Sequence, residues 1–176
     1  MDQLRRTLVF APAVLALAAT PAFAAKIPLN EISRYLNSIR TAQTTFTQRN
    51  PDGSRSTGRL FIHRPNRMRF EYDPPNEALV LASAGQVAIF DSKSNQPPEQ
   101  YPLKRTPLNL ILARNVDLTR TRMVVAHEDL GNATAVVAQD PQNPQYGTIR
   151  LIFSSNPTAL RSWVVTDETG NQTTVE

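Results

Sequence analysis

The stretch Ser56-Thr57-Gly58-Arg59-Leu60-Phe61-Ile62-His63-Arg64-Pro65-Asn66-Arg67-Met68-Arg69-Phe70-Glu71-Tyr72 carries the period that decides the fold. Met68, Phe70 and Tyr72 alternate with Arg67, Arg69, Glu71 and Asp73, so one side of an extended chain is apolar and the other charged. Side chains alternate sides only in a strand, and a half-buried strand writes this pattern. Thr57 to Arg64 reads as the strand before it, and Met68 to Asp73 stops at Pro74-Pro75. A proline pair cannot donate to a ladder, so the strand ends there.

Outward from this pair the same grammar continues. Thr44 to Gln48 precedes the turn Asn50-Pro51-Asp52-Gly53, and Glu77 to Ala82 and Gln86 to Asp91 flank Ala84-Gly85, a tight hairpin signal. A short run around Gln100 to Leu103 comes next, then Arg122 to Glu128, Ala133 to Gln139, Thr148 to Phe153, Leu160 to Thr166 and a last strand beginning near Gln172. About eleven strands joined by loops too short for crossover helices require an antiparallel meander. Two segments break the period. From Asn30 to Ile39 the apolar residues Ile32, Tyr35, Leu36 and Ile39 fall at helical spacing, with Asn30 as the expected N-cap and Arg34, Asn37 and Arg40 on the far face. Thr106 to Asn115 opens with Pro107 at the first helical position and ends on Arg114, which predicts a short helix inserted between strands, apolar along Leu108, Ile111 and Leu112.

Leu79-Val80-Leu81, Met123-Val124-Val125-Ala126 and Ala135-Val136-Val137-Ala138 are apolar on both sides, so the sheet needs cover on both. The expected architecture is mainly β with a helical lid (α+β): an incomplete antiparallel β-barrel whose concave face is covered by the short helices over an apolar space.

Composition narrows the function. Arg5 and Arg6, the apolar run Leu8 to Ala19 and Ala22-Phe23-Ala24 make residues 1–24 an export signal cleaved before Ala25. The Arg-Arg pair leaves open which of the general or twin-arginine routes is used. Losing Arg5, Arg6 and Asp2 with it lowers the formal charge from +4 to +3. Residues 25–176 are then expected to form a single domain beyond the inner membrane. With no cysteine there is no thiolate chemistry and no acylation site of its own. His63 and His127 stand apart from any dense carboxylate cluster, and no nucleophile elbow, phosphate-cradling loop or HExxH occurs, so no catalytic residue, metal ligand or cofactor is expected. Of 19 basic residues 16 are arginines interspersed with acids, which argues against nucleic acid as partner.

On residues Ser56 to Tyr72 the chain resembles the LolA family of periplasmic outer-membrane lipoprotein carriers. Phe46-Thr47-Gln48 fits that family's Phe-x-Gln, and Gly58-Arg59-Leu60 leads into Arg64-Pro65 and an aromatic strand. Pro74-Pro75, Ala78 to Leu81, Gly85 and Asp91 fit the family's proline, short apolar strand and glycine-centred hairpin, and Thr106 to Asn115 is similar to its lid segment. The resemblance implies a carrier, not an enzyme, that takes the acyl chains of lipoproteins from an inner-membrane lipoprotein-releasing ABC transporter to an outer-membrane acceptor, acting as a monomer. It further implies that Arg64 latches the lid through backbone carbonyls near Leu112 and Ala113. The acyl-chain cavity it implies would be lined by Leu60, Ile62, Met68, Phe70, Tyr72, Val80 and Ile89 from strands and by Leu36, Leu108 and Ile111 from helices. Relatives usually continue past a strand such as Gln172 to Glu176, so the expectation is that either the chain is cut short at Glu176 or a further C-terminal element is missing. The alternatives are an envelope stress regulator or a carrier of free lipid on the same fold.

Overall fold

The computed structural model describes residues 25–106 and 108–176. The export signal read in residues 1–24 and the helix-opening role read for Pro107 lie outside the described residues. In chain order the elements are α1 (Leu29–Ser38), β1 (Thr41–Arg49), β2 (Arg55–His63), β3 (Arg67–Tyr72), β4 (Leu79–Ser83), β5 (Gln86–Phe90), β6 (Glu99–Pro102), α2 (Leu108–Leu112), β7 (Val124–Asp129), β8 (Ala133–Gln139), β9 (Thr148–Ser155), β10 (Thr158–Thr166) and β11 (Gln172–Val175).

All eleven strands join one sheet in the order β6-β5-β4-β3-β2-β1-β11-β10-β9-β8-β7, antiparallel throughout. The meander therefore breaks once, between β6 and β7, which are the two free edges. Residues 103–123, with a 3-10 turn at Leu103–Arg105 and α2, span that break. The sheet is strongly curled. Phe70 on β3 and Trp163 on β10 sit four strand positions apart, about 19 Å on a flat sheet. Their ring centroids are 6.2 Å apart.

Register explains which side faces in. Leu60, Phe70, Val80 and Ile89 lie directly opposite one another across β2 to β5, and Ile62, Met68, Ala82 and Val87 form the next row. Phe46, Gly58 and Tyr72 make a third. A side chain at Gly58 would strike the backbone carbonyl of Glu71 and come within 2.9 Å of the Phe46 ring. Glycine there lets Phe46 lie edge-on to Phe70 at 5.2 Å and to Tyr72 at 5.1 Å. Between β4 and β5, Ala84 and Gly85 both take positive φ (50° and 79°), the two-residue turn that matches strand twist.

Three sequence expectations need correction. The N-cap of α1 is Pro28, whose φ of −61° and ψ of 144° feed the extended chain into the helix, while Asn30 lies inside it and accepts the Glu31 N–H at 2.9 Å. The inserted helix is only Leu108–Leu112, because the backbone beyond Leu112 is bonded by side chains from elsewhere. Val125 is 55% exposed: β7 is an edge strand with a bulge between Val124 and Ala126, which turns Val125 away from the sheet.

Candidate functional site

Both helices rest on the concave side. Ile32 and Leu36 of α1 and Leu110, Ile111 and Leu112 of α2 belong to the same buried cluster as Phe46, Leu60, Met68, Phe70, Phe153 and Trp163. The segment before α1 is pinned to the β7–β8 end. Ile27 donates its N–H to Thr134 Oγ1 at 2.9 Å, and His127 Nε2 lies 2.9 Å from the Ile27 carbonyl. The helix itself leans on β9 and β10. The Tyr35 ring meets Phe153 edge-on at 6.1 Å, its hydroxyl accepts the Leu160 N–H at 3.0 Å, and Thr158 Oγ1 donates to Glu31 Oε1 at 2.6 Å.

The chain leaving α2 has carbonyls without helical partners, as every helix end does. The loop between β2 and β3 supplies the donors. Arg64 Nη2 donates to the Ala113 carbonyl at 2.5 Å, and the Asn66 backbone N–H to the Leu112 carbonyl at 2.9 Å. Longer contacts of 3.4 Å run from Arg64 Nη1 to the Ile39 carbonyl and from Nη2 to Asn37 Oδ1. Of the two acceptors named from the resemblance, Ala113 thus meets the guanidinium, whereas Leu112 meets a backbone amide instead. Partial burial lowers the Arg64 pKa from its ordinary value, and Arg64 Nε is buried with no partner among the described residues. Desolvating a cation opposes its charge, so these carbonyl bonds partly offset that cost.

Two contributors went unread in the sequence. Asn37 Nδ2 donates to the Val116 carbonyl at 2.8 Å while its Oδ1 accepts the Val116 N–H at 2.9 Å. Ser33 Oγ donates to the Leu29 carbonyl at 2.7 Å and accepts the Leu118 N–H at 2.9 Å. The available signal was a small polar residue, Ser33, beside the apolar stripe of α1.

The residues expected to line a cavity are brought together, and the space is filled. Leu36, Leu60, Met68, Phe70 and Ile111 are buried, and Ile62, Tyr72, Val80 and Leu108 pack half-buried against them. Ile89 stands in the same row as Val80 but is only partly covered and outside the cluster. The expected hollow is therefore a packed core with the helices down. An empty apolar space forfeits contacts on every wall, so side chains close it. Tyr72 donates to Gln48 Oε1 at 2.6 Å, and burial pushes its pKa up to about 12.

A depression of 140 Å³ is lined by Phe61, Arg67, Arg69 and Leu81 of the outer side together with Ile62, Met68 and Ala82 of the inner row. Glu71 on the outer side is paired with Arg59 at 3.1 Å and with Arg69. Exposed pairs of this kind contribute about 0–1 kcal/mol and give no reason to see chemistry there. Among the described residues no three His, Cys, Asp or Glu side chains gather as a metal would need, and no helix is long and apolar enough to cross a membrane.

The profile described as "Outer membrane lipoprotein carrier protein LolA" matches residues 37–176. A protein named outer-membrane lipoprotein carrier protein in Pseudomonas aeruginosa is 28% identical over 163 residues, covering 87% of this chain and 77% of that protein. One of the same name in Coxiella burnetii is 26% identical over 133 residues, 70% of this chain; the match spans 63% of the relative's length, less than two thirds. Among solved structures, a LolA superfamily protein from Nitrosomonas europaea covers 84% of this chain and 76% of its own at 15% identity, with a TM-score of 0.43.

Proposed function

The chain belongs to the LolA family of outer membrane lipoprotein carrier proteins, and from that premise we propose that it carries lipoproteins across the periplasm with their acyl chains sheltered against the concave face of the sheet. Its cargo would come from an inner-membrane lipoprotein-releasing transporter and pass to an outer-membrane acceptor. The observation that carries this reading is the pairing of a largely apolar concave face with a helical cover fastened at its rim by Arg64 and Asn66.

The physics favours such a device. Each methylene left in water costs about 0.8 kcal/mol, so a long acyl chain cannot cross an aqueous gap unescorted. A carrier must offset most of that cost and still release its load. With the helices down, Leu36, Leu110, Ile111 and Leu112 cover Met68, Phe70 and their neighbours. With the helices lifted, hydrocarbon takes the place of those side chains, and the two states bury similar apolar areas. Arg64 biases the empty protein shut. Leu60, Ile62, Met68, Phe70, Tyr72 and Val80 then form the floor beneath the acyl chains, and Leu36, Leu108 and Ile111 the roof.

The test is mass spectrometry of the protein recovered from periplasm under non-denaturing conditions. Co-purifying acylated lipoprotein is the expected result. Free phospholipid as the sole companion would overturn it in favour of a lipid carrier, and a stoichiometric protein partner without acyl chains would point to a regulator.

A further inference from the structure

Asn37 sits where three parts of the cover meet. It is exposed at the end of α1, yet its amide makes both hydrogen bonds that an adjacent strand would make, to the N–H and carbonyl of Val116 at 2.9 and 2.8 Å. The same Oδ1 stands 3.4 Å from Arg64 Nη2. One turn earlier on α1, Ser33 Oγ takes the Leu118 N–H. Val116 and Leu118 are themselves buried, at 4% and 1% exposure, so the strap after α2 is held by polar stitches as well as by packing. By contrast, Arg64 and Asn66 reach the strap from the sheet side, at Ala113 and Leu112. The strap thus has two sets of fasteners, one to α1 and one to the sheet.

We infer that Asn37 is a positioning residue that welds α1 to the strap, so that once the sheet-side bonds of Arg64 and Asn66 and the bonds of α1 to Thr158 and Leu160 give way, the two helices rise as one flap instead of α2 moving alone. The functional meaning of this weld rests on the carrier reading above. A flap of both helices uncovers the face beneath Leu36 as well as that beneath Ile111, which widens the opening to the long chains a lipoprotein carries. Asn37 does this without touching cargo. It acts by orienting the backbone at Val116 and by offering its Oδ1 as an acceptor to the Arg64 guanidinium.

Amide hydrogen exchange in the full chain separates the two fasteners. In Arg64→Ala the Asn66 amide should exchange about 30-fold faster while Val116 and Leu118 stay as protected as in the parent. In Asn37→Ala the Val116 amide should exchange about tenfold faster and Leu118 should change with it. Asn37→Asp keeps the acceptor for the Val116 N–H but sets an oxygen against the Val116 carbonyl, so it should restore part of the protection, a rescue that a generic loss of helix stability would not give. Adding Asn37→Ala to Arg64→Ala should reduce uptake of a long-chain fluorescent fatty acid below that of Arg64→Ala alone. Equal loosening of Val116 by Arg64→Ala and Asn37→Ala would overturn the weld, as would Val116 exchange unchanged in Asn37→Ala. If the exchange pattern holds while no variant takes up the fatty acid, the weld stands and the carrier reading falls.

Discussion

Replacing Arg64 by alanine addresses the fastening of the cover most directly. The bond lost is a cation–carbonyl contact of 2.5 Å to Ala113. Bonds to charged groups contribute about 1.5–3 kcal/mol net. The two further contacts at 3.4 Å add little, since hydrogen bonds weaken steeply with length. Arg64 is only partly buried, so the lower half of the range applies, about 2 kcal/mol. At about 1.4 kcal/mol per decade this raises the open population about 30-fold. As long as the open form stays a minority, the apparent dissociation constant for a dye that enters only that form falls by the same factor. Titration with an apolar fluorescent dye reads this directly, and thermal unfolding checks that the sheet is intact. Arg64→Lys keeps the charge without the planar fork and should fall between parent and alanine. The Asn66–Leu112 bond survives in both variants, so the cover loosens without detaching. Dye affinity within about twofold of the parent, in a folded Arg64→Ala protein, would refute the latch.

Packing and electrostatics give three further outcomes. Phe70→Ala removes a ring wedged between Phe46 and Trp163 and should lower stability by about 3–5 kcal/mol in a denaturant titration; a loss under about 1 kcal/mol would mean the ring is not where the packing puts it. Gly58→Ala drives a methyl into the Glu71 carbonyl and toward the Phe46 ring, so its cost should exceed the roughly 1 kcal/mol typical of a point change, measured the same way. Tyr72 ionises near 10 when unfolded and near 12 when buried, so between those values the unfolded chain holds fewer protons and stability falls as pH rises through that window. Urea midpoints against pH should show this decline, and Tyr72→Phe should remove part of it.

Much of the architecture is legible because each strand repeats one local rule. The alternation in Met68, Phe70 and Tyr72 and the Ala84-Gly85 turn are properties of a few adjacent residues, and all eleven strands are readable from such signals. The failures share a cause. The length of α2 depends on Arg64, Asn66 and Asn37, which are remote in sequence and capture the backbone that would have continued the helix. Val125 looks like interior until the strand is known to be an edge. Helical spacing puts Asn37 on the polar face of α1, but its partner at Val116 lies 79 residues away. Period and propensity describe how an element presents its sides; they are silent on which distant backbone group will find them. The filled interior is equally invisible, since the same apolar residues line a hollow or pack into a core depending on where the helices rest.

Trp163 is the only tryptophan of the chain, and it lies 7% exposed with its indole against Phe70 at the heart of the curl. The molecule therefore carries its own optical gauge. Whatever lifts the helices must change what surrounds that indole: water would redden its emission, hydrocarbon would keep it blue, and a brominated chain would quench it. Loading and unloading can be tracked on the unmodified protein, in real time, from a single chromophore.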